Sequence, residues 1–287
     1  MSEKIAILVD SCTDVPLDIM KKYGVFCVPL SVIYSYGQFL DGVDITAQEV
    51  YDSFEREIPK TSMPGVGDVQ KVFAEIAEKG FKQVVAVTIS SGLSGTNNVF
   101  RLAAREFPQL DCRIIDSKNI GIGAGLTAIR ACEMAEEGLS LNEMEKRLNK
   151  TAEQTKIFFC VATLEYLKKG GRIGLVSATM GTLLGILPVI SCNEDGVYYT
   201  VKKARGRKSA IDSAIEEVKR CIGDSRRYNL AVAHGGALQD AQMIEKRVKE
   251  LFPHYNRIVT GQISPALVVH TGPGLVGIGV QPLDLDE

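Results

Sequence analysis

The chain has 287 residues, of which 45% are apolar and 24% charged, an ordinary composition for a globular protein. Its 33 Lys and Arg residues against 35 Asp and Glu residues leave a formal charge of −2, which excludes a general electrostatic attraction to nucleic acid or anionic membranes. The length exceeds that at which single cores usually stop growing, so we expect one large or two medium domains.

The seven cysteines and three histidines limit the possible metal and redox chemistry. The cysteines show no C-x-x-C spacing, and a zinc site made of Cys and His is not expected. Most of them lie in apolar, strand-like contexts such as FFCVA (158–162), typical of small buried side chains in a reducing compartment. Without an apolar leader or a run of about 18 apolar residues, the sequence predicts a cytoplasmic protein that is not integral to a membrane.

The first half of the chain alternates strand-like and helix-like patterns. Thr46 and Glu49 have the spacing of a capping box, which predicts a helix to about Arg56, and 61–68 reads as a loop. Such alternation predicts an α/β domain with a mostly parallel sheet covered by helices. The predicted strands are 4–9, 25–34, 83–90 and 112–116, and the other predicted helices lie near 16–24, 69–80, 94–106, 121–137 and 140–154.

The pattern changes near residue 156. Asp195-Gly196 joins two β runs and is a strong hairpin signal. The remaining pattern predicts a mixed sheet with helices, so we divide the chain into an N-terminal domain, 1–156, and a C-terminal domain, 157–287. The predicted elements that follow the hairpin are helices near 207–222 and 238–251 and strands at 228–234, 255–260 and 275–282.

Polar loops follow several of the predicted strands, where ligands collect in open α/β sheets. GIGAG (121–125) lacks the G-x-G-x-x-G spacing of dinucleotide sites, and no P-loop motif occurs in the sequence. Asp10 and Asp14 lie in a Ser- and Thr-rich loop, where acidic residues usually make Asx-type turns and caps rather than a metal site. We therefore expect neither a nucleotide nor a metal cofactor.

Ser94, in SSGLSGT (90–96), allows three interpretations. It could cap the following helix, since Ser is a preferred cap, or anchor an anion at that helix N-terminus. It could also be the nucleophile of a serine-dependent acyl hydrolase, although its spacing misses the G-x-S-x-G elbow by one position. His234 or His270 could supply a base, but nothing in the sequence brings either of them to Ser94.

His270 has a more definite local context. Ser264-Pro265 looks like a helix start and Gly272 like a helix end, which places His270 in the last turn of a short apolar helix. At that end the helix dipole favours the protonated imidazole. The local sequence therefore predicts a cationic histidine, with a capping or core histidine as the alternative.

Together these segments resemble the DegV family, the bacterial fatty-acid-binding proteins of the FakB type. The resemblance implies a two-domain DegV-like (EDD) α/β architecture that holds one long-chain fatty acid, such as palmitate, between its domains. It also implies a carrier that catalyses nothing and needs no cofactor besides this lipid. The matching stretches are VDSCTDVP (9–16), KTSMPGVGD (60–68), SSGLSGTNN (90–98), IIDSKNIGIGAG (114–125), TLEYLKKGGRIG (163–174), LLGILPVI (183–190), HGG (234–236) and HTGPG (270–274).

The resemblance also implies a set of site residues. The family's carboxylate ligands correspond to Thr61, with its neighbour Ser62, to Ser94, with the Gly95 N–H as an extra donor, and to His270. Two arginines that the family links to the site and to a fatty-acid kinase partner subunit correspond to Arg172 and Arg205.

The sequence departs from the family pattern in a few places. Met63 stands where the family often has Gln, and Cys12 where it often has Thr or Ser. The stretch KKARGRKSA (202–210) matches its segment loosely, which leaves Arg207 as an alternative to Arg205. None of these departures removes a carboxylate ligand.

The expected function is that of a carrier that presents a fatty-acid carboxylate to the kinase and then holds the acyl phosphate. Burial of about 14 methylenes would contribute roughly 11 kcal/mol gross, at about 0.8 kcal/mol each. The apolar stretches 181–190 and 264–269 are candidate tunnel walls. The alternatives are the Ser94 hydrolase and a carrier of another amphipathic acid, such as a sterol or isoprenoid.

Overall fold

The computed structural model describes residues 4–179 and 185–283, and within these ranges the secondary structure alternates as the sequence predicts. The strands are β1 (Ile5–Asp10), β2 (Phe26–Val28), β3 (Ser31–Tyr34), β4 (Gly37–Leu40), β5 (Lys60–Ser62), β6 (Gln83–Thr88), β7 (Asp111–Asp116), β8 (Lys156–Cys160), β9 (Ile186–Cys192), β10 (Tyr198–Arg205), β11 (Tyr228–Gly235), β12 (Tyr255–Gln262) and β13 (Leu275–Pro282). The α-helices are α1 (Leu17–Tyr23), α2 (Ala47–Ser53), α3 (Val66–Glu78), α4 (Thr96–Ala104), α5 (Ile122–Glu136), α6 (Leu141–Gln154), α7 (Glu165–Lys169), α8 (Arg207–Ile222), α9 (Leu238–Leu251) and α10 (Pro265–Thr271).

Two large sheets form the framework. The strands β2-β1-β6-β7 make a parallel four-stranded sheet, and β10-β9-β8-β13-β11-β12 make a six-stranded sheet in which only β11 and β12 pair in parallel. This confirms the predicted α/β class, with a parallel sheet first and a mixed sheet second. The hairpin predicted at Asp195-Gly196 connects β9 to β10.

Both faces of the parallel sheet are buried. Along β1, Ala6 and Leu8 pack with α3 and α4, whereas Ile7 and Val9 belong to the largest hydrophobic core. That core also contains side chains of the six-stranded sheet and most of α5, which contacts strands of both sheets. A helix that is apolar on all sides is buried on all sides, and α5 therefore forms the layer between the sheets. The division at residue 156 stays a prediction, since one core contains residues from both halves.

A third, small sheet includes β5, whose pairing was not predicted. The strands β4-β3-β5 pair antiparallel, and Val32 of β3 pairs with Thr61 of β5. The prediction of a loop over 61–68 is wrong in its first part, because Lys60–Ser62 is a strand, and in its last part, because α3 begins at Val66. The pairing with β3 fixes the backbone on which Thr61 is carried.

Helix α10 is held by two buried carboxylates that follow other elements. Asp41 accepts the Ala266 N–H at 2.8 Å, and Asp14 accepts the Ser264 N–H at 3.0 Å. These bonds satisfy backbone donors that a helix N-terminus leaves free. Burial raises the pKa of both Asp14 and Asp41, so the two N–H bonds offset part of a desolvation cost.

We expect Asp41→Ala to lower the free energy of unfolding by about 2 kcal/mol, because the Ala266 N–H and the Ser11 hydroxyl lose a buried acceptor. Urea denaturation followed by circular dichroism measures the change. Asp44→Ala is the matched control: this exposed acid of the same loop accepts the Leu40 N–H, and its loss should cost less than about 1 kcal/mol. Equal stabilities for the two variants would contradict the anchoring role of Asp41.

Candidate functional site

Four of the predicted site residues line one small cavity. Thr61 of β5, Ser94 after β6, Arg172 after α7 and His270 of α10 surround a space of about 40 Å³. Each of these four residues is half-buried. The cavity lies beyond the carboxyl ends of β1 and β6, as expected for a ligand site in an open α/β sheet. We call this space the polar cavity.

A short hydrogen bond joins two of these residues across 209 positions of sequence. The Thr61 hydroxyl and His270 Nε2 are 2.6 Å apart. The other ring nitrogen, Nδ1, is buried without a hydrogen-bond partner among the described residues. An unpartnered acceptor costs less than an unpartnered donor, which favours the tautomer with its proton on Nε2. In that tautomer the ring donates to Thr61, and the Thr61 O–H is free to donate to a ligand.

The ring of His270 packs against the backbone of Gly170. A Cβ added at Gly170 would lie 2.1 Å from His270 Nδ1, far inside any allowed contact. Glycine at this position therefore lets the turn after α7 approach the ring. The same turn carries Arg172, whose guanidinium donates to the Gly170 carbonyl at 2.7 Å.

The prediction of a cationic His270 is wrong for this structure. The ring does lie in the last turn of α10, but burial, with a smaller contribution from the positive charge of Arg172, lowers the pKa of His270 to about 4. The imidazole is therefore neutral at pH 7. Arg172 is the one Lys or Arg among the described residues that line the polar cavity.

Ser94 contacts the start of the helix that follows it, although this helix begins two residues later than predicted. Helix α4 begins at Thr96 with Gly95 as its N-cap, and Ser94 Oγ accepts the Thr96 N–H at 3.3 Å. The Ser94 hydroxyl also contacts Thr96 Oγ1 at 2.8 Å. Among the described residues its hydroxyl has no hydrogen bond to a histidine, so the base contact that a serine nucleophile needs is not formed.

The other predicted residues lie beside the cavity or away from it. Gly95 is next to Ser94, and a Cβ there would lie 2.5 Å from the sulfur of Met63, which does line the cavity. The Ser62 hydroxyl donates to the Met63 carbonyl at 3.0 Å, and Ser62 is not part of the lining.

The two candidate arginines of the second half differ in their contacts. Arg205 is exposed at the end of β10 and does not line the cavity. Arg207 pairs with Asp240 and donates to the Gly274 carbonyl, so its guanidinium is already committed to structural contacts.

An apolar space lies next to the polar cavity. This second cavity, of about 30 Å³, shares four lining residues with the first and is otherwise bordered mainly by aliphatic and aromatic side chains. We call it the apolar cavity. The residues that border both are Ile120, Tyr198, Leu267 and Thr271.

The two stretches predicted as tunnel walls differ in whether they border these cavities. Ala266 and Leu267, within 264–269, line the polar cavity. Of the stretch 181–190, residues 181–184 lie outside the described ranges, and the described remainder contributes no lining residue. Ile157 and Phe159 of β8 and Tyr198 of β10 were missed, because an apolar strand residue that borders a cavity has the same sequence pattern as one in a packed core.

The chain is similar to proteins of one family over nearly its whole length. A family model described as "Uncharacterised protein, DegV family" matches residues 4–283. A DegV domain-containing protein of Clostridium acetobutylicum is 40% identical over 276 residues, which cover 96% of this chain and 98% of that protein.

Solved structures are similar over nearly the whole chain. A fatty-acid-binding DegV family protein of Thermus thermophilus superposes with a TM-score of 0.92 at 31% identity, covering 98% of this chain and 100% of that one. A stearic-acid-binding protein of Eubacterium ventriosum has a TM-score of 0.87 at 30% identity, with 97% and 98% covered.

The described residues contain neither a cluster of metal ligands nor a membrane-spanning helix. Within 4–179 and 185–283, no three His, Cys, Asp or Glu side chains are grouped so that they could hold a metal ion. In the same ranges, every helix is too short or too polar to cross a membrane.

The charge of Arg172 gives a test of the site's electrostatics. In the unliganded protein we expect a His270 pKa of about 4, and Arg172→Met should raise it because a nearby positive charge disfavours the imidazolium. Imidazole NMR titration measures both values, with His270→Gln to assign the signal. Lys168→Met removes an exposed charge outside the cavity lining and should leave the pKa unchanged. A wild-type His270 pKa near 6.5 would contradict the burial of this ring.

Proposed function

The chain belongs to the DegV family, and from this premise we propose that it binds one long-chain fatty acid with its carboxylate in the polar cavity and its tail in the apolar cavity. The observation that carries the proposal is that these two spaces are neighbours with part of their walls in common. One end offers hydroxyls, an imidazole and a guanidinium, and the other offers hydrocarbon walls. A long-chain acid has the same division along its length.

The polar cavity supplies hydrogen-bond donors to a carboxylate. The hydroxyls of Thr61 and Ser94 donate to its oxygens, and Arg172 provides the positive charge that the neutral His270 lacks. Each charge-assisted bond contributes about 1.5–3 kcal/mol, and an unpartnered buried carboxylate is costly. The carboxylate also favours protonation of His270, so its arrival raises the pKa of this residue.

The tail supplies most of the binding free energy. About 14 buried methylenes contribute roughly 11 kcal/mol gross, from which the loss of translational and chain freedom is subtracted. The polar groups therefore set the orientation of the acid, while the hydrocarbon sets its affinity. Other amphipathic acids that bury as many methylenes would gain a similar binding free energy. A competition series over head group and chain shape distinguishes them from long-chain fatty acids.

The carrier role extends to a kinase partner. In this proposal a carboxylate oxygen of the bound acid attacks the γ-phosphorus of ATP held by a fatty-acid kinase subunit, ADP leaves, and the acyl phosphate stays on this chain. Arg172 in the cavity and Arg205 at the exposed end of β10 are the cations assigned to the phosphate and the partner. The chain needs no cofactor beyond the lipid.

The cytoplasm is the proposed location of this carrier. All seven cysteines have free thiols, as expected in a reducing compartment. ATP, the phosphoryl donor of the proposed kinase reaction, is used in the same compartment.

The head-group assignment predicts how two variants bind. Thr61→Val and Ser94→Ala should each raise the Kd for hexadecanoic acid about tenfold, because each removes one charge-assisted hydrogen bond. Calorimetry with delipidated protein measures the change. Ser91→Ala, in the same loop but outside the cavity lining, should bind as the wild type does. Covalent labelling of Ser94 by a fluorophosphonate, abolished in Ser94→Ala, would instead support the hydrolase.

The phosphate assignment concerns Arg172. With a fatty-acid kinase subunit and ATP, Arg172→Gln should lower the amount of protein-bound acyl phosphate about tenfold and raise the Kd for the free acid only about threefold, because a phosphate carries more charge than a carboxylate. Trapping the product with hydroxylamine as the hydroxamate quantifies it. Lys168→Gln is the control for a lost charge on the neighbouring surface. Equal losses for both lipids would contradict a phosphate-specific role.

A further inference from the structure

A large cleft adjoins the apolar cavity at the end away from the carboxylate site. It has a volume of about 610 Å³ and is bordered by the start of α1, the loop before α2 and the end of β12. Leu17 and Val43 line it with 71% and 69% of their surfaces exposed. We call it the distal cleft. Its volume falls in the range of about 300–1,000 Å³ typical of small-molecule sites, which neither smaller cavity reaches.

The distal cleft and the apolar cavity are separated by a few side chains. Ile122, Ala233 and Ile263 line both spaces. The polar cavity, the apolar cavity and the distal cleft therefore follow one another, each sharing part of its wall with the next.

Residues of helix α10 border all three spaces, so its length gives the distance from the polar cavity to the distal cleft. His270 borders the polar cavity, Leu267 borders both cavities, and Ser264 at the other end borders the distal cleft. Six residues of helix separate the ends, or about 9 Å at a rise of 1.5 Å per residue. An extended chain advances about 1.2 Å per bond, so the fifteen C–C bonds of hexadecanoic acid span roughly 18 Å. About half of such a chain reaches beyond the apolar cavity.

The charges of the distal cleft limit what can lie at the end of the chain. Its lining contains the acidic side chains Asp14, Asp41, Asp44 and Glu49, and among the described lining residues there is no Lys, Arg or His. A terminal methyl meets the apolar part of the lining, and a terminal hydroxyl can donate to a carboxylate. A second carboxylate would find no cation there and would be repelled by the exposed acidic side chains of Asp44 and Glu49.

We propose that the acyl tail passes between Ile122, Ala233 and Ile263 into the distal cleft, so that the protein accepts chains longer than 16 carbons and chains with a terminal hydroxyl, but discriminates against dicarboxylic acids. This inference rests on the proposed fatty-acid binding and adds which kinds of acyl tail the protein accepts. The cleft is open to solvent at its exposed apolar residues and sets no sharp limit on chain length.

Gly261 offers a direct way to close this route. It lies on the edge strand β12 opposite Ala233, and a Cβ at this position would have no heavy atom within 4 Å. Because paired residues on neighbouring strands point to the same face, a phenylalanine here enters the junction of the apolar cavity and the distal cleft. Gly67, exposed in the first turn of α3 with no heavy atom within 4 Å of an added Cβ, is the matched site for a control.

The test measures Kd by competition against labelled hexadecanoic acid. In the wild type, docosanoic acid and 16-hydroxyhexadecanoic acid should bind within about threefold of hexadecanoic acid, and hexadecanedioic acid at least tenfold more weakly. Gly261→Phe should weaken docosanoic acid at least tenfold and leave decanoic acid, whose nine bonds span about 11 Å, nearly unchanged. Gly67→Phe should leave the whole series unchanged.

Three outcomes would overturn the inference. A wild-type Kd that rises tenfold or more from hexadecanoic to docosanoic acid means that the tail end is closed, while fatty-acid binding stands. Equal binding of docosanoic acid to Gly261→Phe and the wild type places the tail elsewhere. If no acid of any length binds, the proposed function fails together with the inference.

Discussion

The geometry of the site depends on the anchoring of one seven-residue helix by two buried carboxylates. Asp14 and Asp41 accept backbone N–H groups at the start of α10. The helix then carries Leu267 past both cavities and ends with His270 beside Thr61. A helix this short has little stability of its own, because nucleation is costly and few bonds follow. The acidic acceptors at its N-terminus, where the helix dipole is positive, provide stability that the few hydrogen bonds within this helix do not.

The opposite end of the same helix shows which electrostatic effect dominates. A helix C-terminus favours an imidazolium by about 0.3–1 kcal/mol at exposed sites, whereas the effective cost of burying a charge is several kcal/mol. His270 is packed against Gly170 with Arg172 nearby, so burial and the like charge prevail and the ring is neutral. The positive charge of the site therefore belongs to Arg172, and His270 orients the Thr61 hydroxyl. A bound carboxylate changes this balance by adding an opposite charge.

Local patterns in the sequence account for most of the fold. Helices α8 and α9 have the predicted bounds, and Asp195-Gly196 makes the expected turn, because periodicity and turn chemistry act over a few residues. The pairing of β5, which carries Thr61, could not be predicted, since a strand of three residues has no readable period and pairs with β3 across the intervening helix α2. The site residues were found by family resemblance, because they come from four segments that only the fold assembles. The neutrality of His270 depends on burial, which its local sequence does not report.

In the proposed complex, the narrowness of the route would let one site combine firm orientation of the carboxylate with tolerance of the tail. The two cavities, of about 40 and 30 Å³, lie well below the volume of typical ligand sites, and the side chains between them form part of the wall of both. A chain that passes must move apolar groups such as Leu267, which cost little to repack, whereas the polar groups are fixed by β5, α4 and α10. A carboxylate bound as proposed would therefore meet a nearly preformed set of donors, and adaptation would be confined to the hydrocarbon part. The distal cleft lies on the other side of Ile122, Ala233 and Ile263, so a tail that follows the proposed route would no longer be confined beyond these residues.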